Sequence, residues 1–117
     1  MLFRSSDGMA GFVIAPGAMF FAQRKALAAL ALERRLPSVS VRREYAEAGC
    51  LIAYGAPIQE NDRQAAIYVS RILGGAKPVE LPVEQPATFD LVVNLTTAEA
   101  LGLALPRALL ARAGTVR

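Results

Sequence analysis

A chain of 117 residues with a 54% hydrophobic fraction is long enough for one small domain with an ample core, and no apolar run approaches the ~20 residues of a membrane span. A single cysteine, Cys50, excludes an intrachain disulfide framework, and the absence of histidine removes histidine-based triads and the usual zinc sites. The net charge of +3 arises from scattered basic residues, with Arg34-Arg35 and Arg42-Arg43 beside Glu33 and Glu44, which reads as a solvated surface and not as a nucleic-acid face.

Residues 1–10 read as a flexible lead-in, carrying an Arg and an Asp where a secretory signal needs an unbroken apolar core, so no signal peptide is read there. Residues 11–117 read as a single α/β domain. The short apolar run 11–15 ends at Pro16-Gly17, as expected of a buried parallel strand closed by a turn. One long helix is predicted from about residue 18 to residue 35. Phe20, Leu27, Leu30 and Ala31 share a face of it, Arg34 and Arg35 oppose the dipole in its last turn, and Pro37 forbids continuation. A second strand follows over 38–41, a helical turn or two over 43–49 stopped by glycine, and a third strand over 51–54 broken by Gly55-Ala56-Pro57.

The next helix is predicted from about Ile58 to Leu73, with Ala65, Val69, Ile72 and Leu73 in one stripe and Gly74-Gly75 as its stop. Residues 77–82 form an extended connector stiffened by proline, and 83–85 read as an edge strand. Residues 89–95 are the most strand-like run. Thr96-Thr-Ala-Glu99 fits a capping box, Gly102 closes the helix it opens, and Pro106 suits the first turn of a last short helix. Strands alternating with helices through short links predict an α/β layered fold with a mainly parallel sheet.

No constellation of catalytic groups emerges, and no enzyme is expected. Gly74-Gly75 belongs to a helix end and not to a phosphate loop, and Cys50 has no base to make it a thiolate. The acid pairs Glu44/Glu47 and Glu60/Asp62 sit beside arginines, as surface ion pairs do. Asp90 and Asn94, flanking the last strand, are expected to set turn and edge hydrogen bonds. No metal or other cofactor is expected. Geometry is what remains: in open α/β sheets ligands bind beyond the C-terminal ends of the strands. Three such ends are 15–19, 42–44 and 54–56. Gly17 lets backbone N–H groups approach an anion or carboxylate, Arg42 or Arg43 can pair with one, and Tyr54 can stack on a ring. The candidate ligand-binding residues are therefore Pro16, Gly17, Ala18, Arg43, Glu44, Tyr54 and Gly55.

The ordered series of segments resembles a known family. It consists of a strand, Pro16 followed by Phe20-Phe21, a helix beginning Phe21-Ala-Gln-Arg24, and Leu36-Pro37 before a strand. Arg43-Glu-Tyr-Ala-Glu-Ala-Gly49, Leu51-Ile-Ala-Tyr-Gly55, Ile72-Leu-Gly-Gly-Ala-Lys-Pro78, Leu81-Pro-Val-Glu-Gln-Pro86 and Asn94-Leu-Thr-Thr-Ala-Glu-Ala-Leu-Gly-Leu103 follow in order. Together they resemble the extracytoplasmic substrate-binding proteins of ABC transporters, in the family that includes the tryptophan/tyrosine-type binding proteins. The resemblance covers about residues 11–113.

The resemblance implies the type I periplasmic-binding fold, two Rossmann-like (flavodoxin-like) three-layer lobes closing on a small organic solute such as an amino acid. It implies an ABC permease and ATPase as partners and a periplasmic or extracytoplasmic site of action; without a signal the chain as given is expected to stay cytoplasmic. The chain is expected to match only the C-terminal portion, a partial second lobe whose helix 58–73 crosses toward a first lobe and whose last strand returns. Where the family often has an acidic residue in a Pro-Asp-Pro-like turn, this sequence has Pro16-Gly17-Ala18; where Gly-Gly precedes the third strand, it has Gly49-Cys50. The alternative expectation is a truncated α/β module without a transport role, self-associating as a homodimer through uncovered apolar area and strand edge, with an exchanged helix or strand.

Overall fold

The computed structural model describes residues 2–4 and 10–117. Six strands, β1 (Leu2–Arg4), β2 (Ala10–Val13), β3 (Ser38–Ser40), β4 (Ile52–Gly55), β5 (Asp90–Asn94) and β6 (Gly114–Val116), form one sheet in sequence order. The helices are α1 (Ala18–Ala22), α2 (Arg24–Glu33), α3 (Arg43–Glu47), α4 (Ile58–Leu73), α5 (Leu95–Ala100) and α6 (Arg107–Leu110), with a 3-10 turn at Pro78–Glu80. β2, β3 and β4 run parallel, β5 is antiparallel to β4, and β6 is parallel to β5. The α/β class and the mainly parallel sheet are as the sequence predicts. Of the lead-in expected over residues 1–10, residues 1 and 5–9 lie outside the described ones, and Leu2–Arg4 pairs antiparallel with β2.

Register assigns the side chains to two faces. Phe12, Ser38, Ser40, Ala53, Val92 and Val116 share the face that packs on helices. There Ile14, Ala28 of α2, Tyr45 of α3 and Cys50 form one buried cluster, and Ala46, Ala53 and Val92 form another. Small residues dominate this interface, so α2 and α3 lie close against the strands, and the fully buried Val92 contributes about 1.5–3 kcal/mol. The buried Ser38 hydroxyl is satisfied by accepting from the Leu51 N–H at 3.2 Å. The opposite face is open over much of its area: Val13 and Tyr54 are exposed and Val39, Ile52 and Leu91 are half-buried, while Val93, beside Ile52, is fully buried.

The helices end alike. α2, α3, α4 and α5 each close with paired bonds from the two residues beyond the cap, as in Leu36 N–H to Ala31 C=O and Cys50 N–H to Tyr45 C=O. Gly49, Gly75 and Gly102 supply the left-handed residue in three of them, whereas α2 uses Arg35 at φ 52°.

Four expectations need correction. The helix predicted over 18–35 is two, interrupted at Gln23 (φ −95°, ψ 13°), a turn that no glycine or proline announces. Residues 83–85 pair with no strand; Val83 is 97% exposed, and this connector instead runs along α4, where the Tyr68 hydroxyl donates to the Pro82 carbonyl at 2.6 Å and Gln64 donates to Glu84. Asn94, not Thr96, is the N-cap of α5: its Oδ1 accepts from the Thr97 N–H at 2.9 Å, which places Thr96 and Thr97 inside the first turn. Residues 114–116, not predicted as a strand, extend the sheet as β6.

The helix α4 has the predicted bounds but buries no residue. Its stripe is uncovered, with Val69 and Ile72 exposed and Leu73 84% exposed. The molecule is elongated to match, with extents of 55 × 31 × 28 Å.

Candidate functional site

The C-terminal ends of β2, β3 and β4 point to the same side, because the three strands are parallel, and two adjoining cavities lie there. The larger, about 470 Å³, is lined by Pro16-Gly17-Ala18, by Phe21 and Ala22 of α1, by Val41 and Arg42 after β3, by Tyr45 and by Ile58. The smaller, about 190 Å³, shares Val41, Arg42 and Ile58 and adds Arg43, Glu44, Glu47, Gly55 and Asp90 among its walls.

Arg42 is the hinge between them. Its guanidinium lies 3.9 Å from the centroid of the Phe21 ring, and its Nη2 donates to Glu44 Oε1 at 2.9 Å. Arg24 places a second guanidinium 4.5 Å from the same ring and donates from Nη1 to the Phe21 carbonyl at 3.0 Å. Phe21 in turn meets Tyr45 edge-on at 5.9 Å. The Arg42 hydrogen bond, the helix N-terminal backbone and the charge of Arg24 hold the Glu44 carboxyl below its ordinary pKa, against the opposing effect of burial. The Tyr45 side chain is buried, and its desolvation raises the phenol pKa.

The candidate residues fall into three places. Pro16, Gly17 and Ala18 line the larger cavity, and Gly17 is in extended backbone at φ 175°. Arg43, Glu44 and Gly55 line the smaller one, where Arg43 turns outward to Glu47 Oε1 at 2.9 Å. Tyr54 is apart from both, stacked at 5.6 Å and 20° on Phe89 over the open face of the sheet. Gly55 has a packing reason as well: a Cβ there would sit 2.1 Å from the Val41 carbonyl oxygen. Phe21 and Tyr45 are not among the residues the sequence singles out, and Arg42 enters there only as the alternative to Arg43. Arg42 and Arg43 are indistinguishable as neighbours in sequence, and only the turn into α3 sends one inward; Phe21 and Tyr45 read as core aromatics. The one-turn spacing of Arg42 and Tyr45, closed by the Tyr45 N–H to Arg42 C=O bond at 3.0 Å, is the sequence feature that could have paired them.

Residues 6–117 match the family model described as ABC transporter substrate binding protein. No curated protein matches the chain. Among solved structures, the chain is similar to a conserved domain protein from Vibrio cholerae O1 biovar El Tor, at 30% identity and a TM-score of 0.79, over 90% of this chain and 35% of that one. It is similar in fold to the ABC domain in complex with L-Trp from Streptococcus pneumoniae, at 20% identity and a TM-score of 0.79, over 92% of this chain and 37% of that one. It also resembles the ligand-free, open form of a substrate binding protein with adhesive properties from Clostridium difficile, at 19% identity and a TM-score of 0.62, over 90% and 35%. The chain therefore spans little more than a third of the length of these structures.

Proposed function

The chain belongs to the ABC transporter substrate-binding protein family, and on that premise we propose that it is a solute-binding piece of an ABC-type importer, taking a small organic solute such as an amino acid. The observation that carries this reading is the larger cavity at the ends of three parallel strands, with its stacked Arg42 and Phe21. The L-Trp complex of the pneumococcal structure supports the amino-acid class. The family binds substrates and does not transform them, and its members are normally periplasmic or extracellular. A permease and an ATPase are the partners this role requires. No helix among the described residues is long and apolar enough to cross a membrane. The test is a thermal-shift screen of this chain against the standard amino acids, in which at least one is expected to raise the unfolding midpoint; uniform lack of stabilisation counts against binding by this chain.

A second reading rests on a different observation, the open sheet face together with the uncovered stripe of α4. In it the chain self-associates as a homodimer through these surfaces, with an exchanged helix or strand. Light scattering at micromolar concentration is expected to give twice the 12.5 kDa of one chain, and Val69→Glu with Leu73→Glu is expected to return it to one. A wild-type mass of 12.5 kDa removes this reading.

A further inference from the structure

Two buried side-chain polar atoms, Arg42 Nε and Tyr45 Oη, have no hydrogen-bond partner among the described residues. Such atoms are uncommon in folded chains, because an unmet buried donor forfeits its bonds to water. Both residues line the same cavity, one helical turn apart. Arg42 Nε–H can only donate, and the Tyr45 hydroxyl is free to donate. From this pair we propose that Arg42 and Tyr45 anchor a carboxylate, and that the solute is a monocarboxylic acid with an apolar body. The proposal rests on the solute-binding reading above and names the chemistry of its ligand.

The surroundings fit a monoanion. Arg24 and Arg42 bring two positive charges to the Phe21 ring and Glu44 brings one negative charge, so the local balance favours one negative charge on the ligand. Glu44 occupies Nη2 and the Phe21 ring lies against the guanidinium, so Nε is the donor left over; it and Tyr45 Oη are closed off from solvent, and a carboxylate reaches them as the two side chains part at the cavity wall. The apolar wall of Phe21, Val41 and Ile58 takes the hydrocarbon part. The raised phenol pKa keeps Tyr45 protonated near neutrality, the state in which it donates.

The test follows the arginine Nε–H resonances of the 117-residue chain in 1H–15N spectra. The probes are 3-phenylpropionate, L-leucine and the two corresponding primary amides. Both carboxylates are expected to move the Arg42 Nε–H resonance, and the amides to leave it in place. Arg42→Lys is expected to weaken 3-phenylpropionate about tenfold or more, and Tyr45→Phe about fivefold. Tyr45→Phe removes an unmet buried hydroxyl, so its unfolding midpoint without ligand stays level or rises; a midpoint that falls in step with affinity shows a packing role and overturns the anchor. Carboxylates and amides that bind alike, or shifts at Ala18 and Ala22 with Arg42 Nε–H unmoved, also overturn the anchor while solute binding stands. If no probe moves any cavity resonance, the anchor and solute binding both fall for this chain.

Discussion

Asn94 ties three elements together, and its removal gives a loss that can be worked out in advance. Its Oδ1 accepts the Thr97 N–H at 2.9 Å as the N-cap of α5, and its Nδ2 donates to the Ala46 carbonyl at 2.8 Å near the end of α3. Asn94→Ala loses the cap, at about 1 kcal/mol. It also loses the second bond, at about 1 kcal/mol more; Ala46 C=O still accepts the Gly49 N–H at 3.1 Å, so the carbonyl is not orphaned. The sum is about 2 kcal/mol, out of about 5–15 kcal/mol for a domain of this size. Urea unfolding followed by far-UV circular dichroism, with a slope of about 1–1.5 kcal/mol per molar, should show the midpoint falling by about 1.3–2 M. Asn94→Asp separates the two bonds: it keeps the cap acceptor, at the favourable end of the helix dipole, but turns a carboxylate on the Ala46 carbonyl. It is expected to be no more stable than the alanine variant at pH 7. A loss below about 0.5 kcal/mol for Asn94→Ala, or a more stable Asn94→Asp, refutes the network as the clasp between α3 and α5.

Gly55→Ala puts a methyl 2.1 Å from the Val41 carbonyl oxygen, and a loss of about 3 kcal/mol or more is expected in the same urea assay. Cys50 is fully buried, so a disulfide reagent such as Ellman's should react with it only at the rate of unfolding; fast labelling of the native chain contradicts the packing. Burial raises the Cys50 thiol, against the influence of Ser38, and also raises the Tyr45 phenol. The unfolded chain therefore releases these protons first, and stability present below about pH 8.5 should be lost as the pH rises toward the folded-state values. Cys50→Ala should flatten the first part of that alkaline decline in a thermal-unfolding series.

Local rules read correctly where the cause is local. The helix Ile58–Leu73 has the bounds that Gly74-Gly75 and Pro57 impose, β3 and β5 lie within the predicted runs 38–41 and 89–95, and β2 and β4 each depart from theirs by a residue or two at an end. They fail where a tertiary contact decides. The turn at Gln23 separates α1 from α2, in a structure where Phe21 meets Tyr45 and Arg42; nothing within residues 18–35 records those partners. Arg35 closes α2 in a left-handed conformation that glycine would have advertised. Thr96 and Glu99 carry the capping-box pattern, but β5 runs straight into the helix and Asn94, two residues earlier, takes the cap. The location of the cavity was readable, since parallel strands gather their C-terminal ends, whereas the inward choice of Arg42 over Arg43 was not.

The cavity's walls also set how tightly an acid can be held. Arg42, Tyr45 and Phe21 bound it from the sheet side, while Pro16, Gly17, Ala18 and Ile58 are exposed at its rim. An occupant therefore keeps part of its surface in water and gains only part of the burial that an enclosed pocket supplies. For 3-phenylpropionate, roughly eleven non-hydrogen atoms at about −0.3 to −0.4 kcal/mol each amount to about −4 kcal/mol, a Kd of about 1 mM. Ile58 also heads α4, whose stripe is uncovered, so a partner packing on α4 reaches the cavity rim through the helix itself. Calorimetry or the resonance titration on the isolated chain should thus return millimolar affinity, and a second body closing over the rim should tighten it. A Kd below about 10 μM for the chain alone refutes the one-sided wall: affinity of that order, about −7 kcal/mol, needs burial that these residues do not provide.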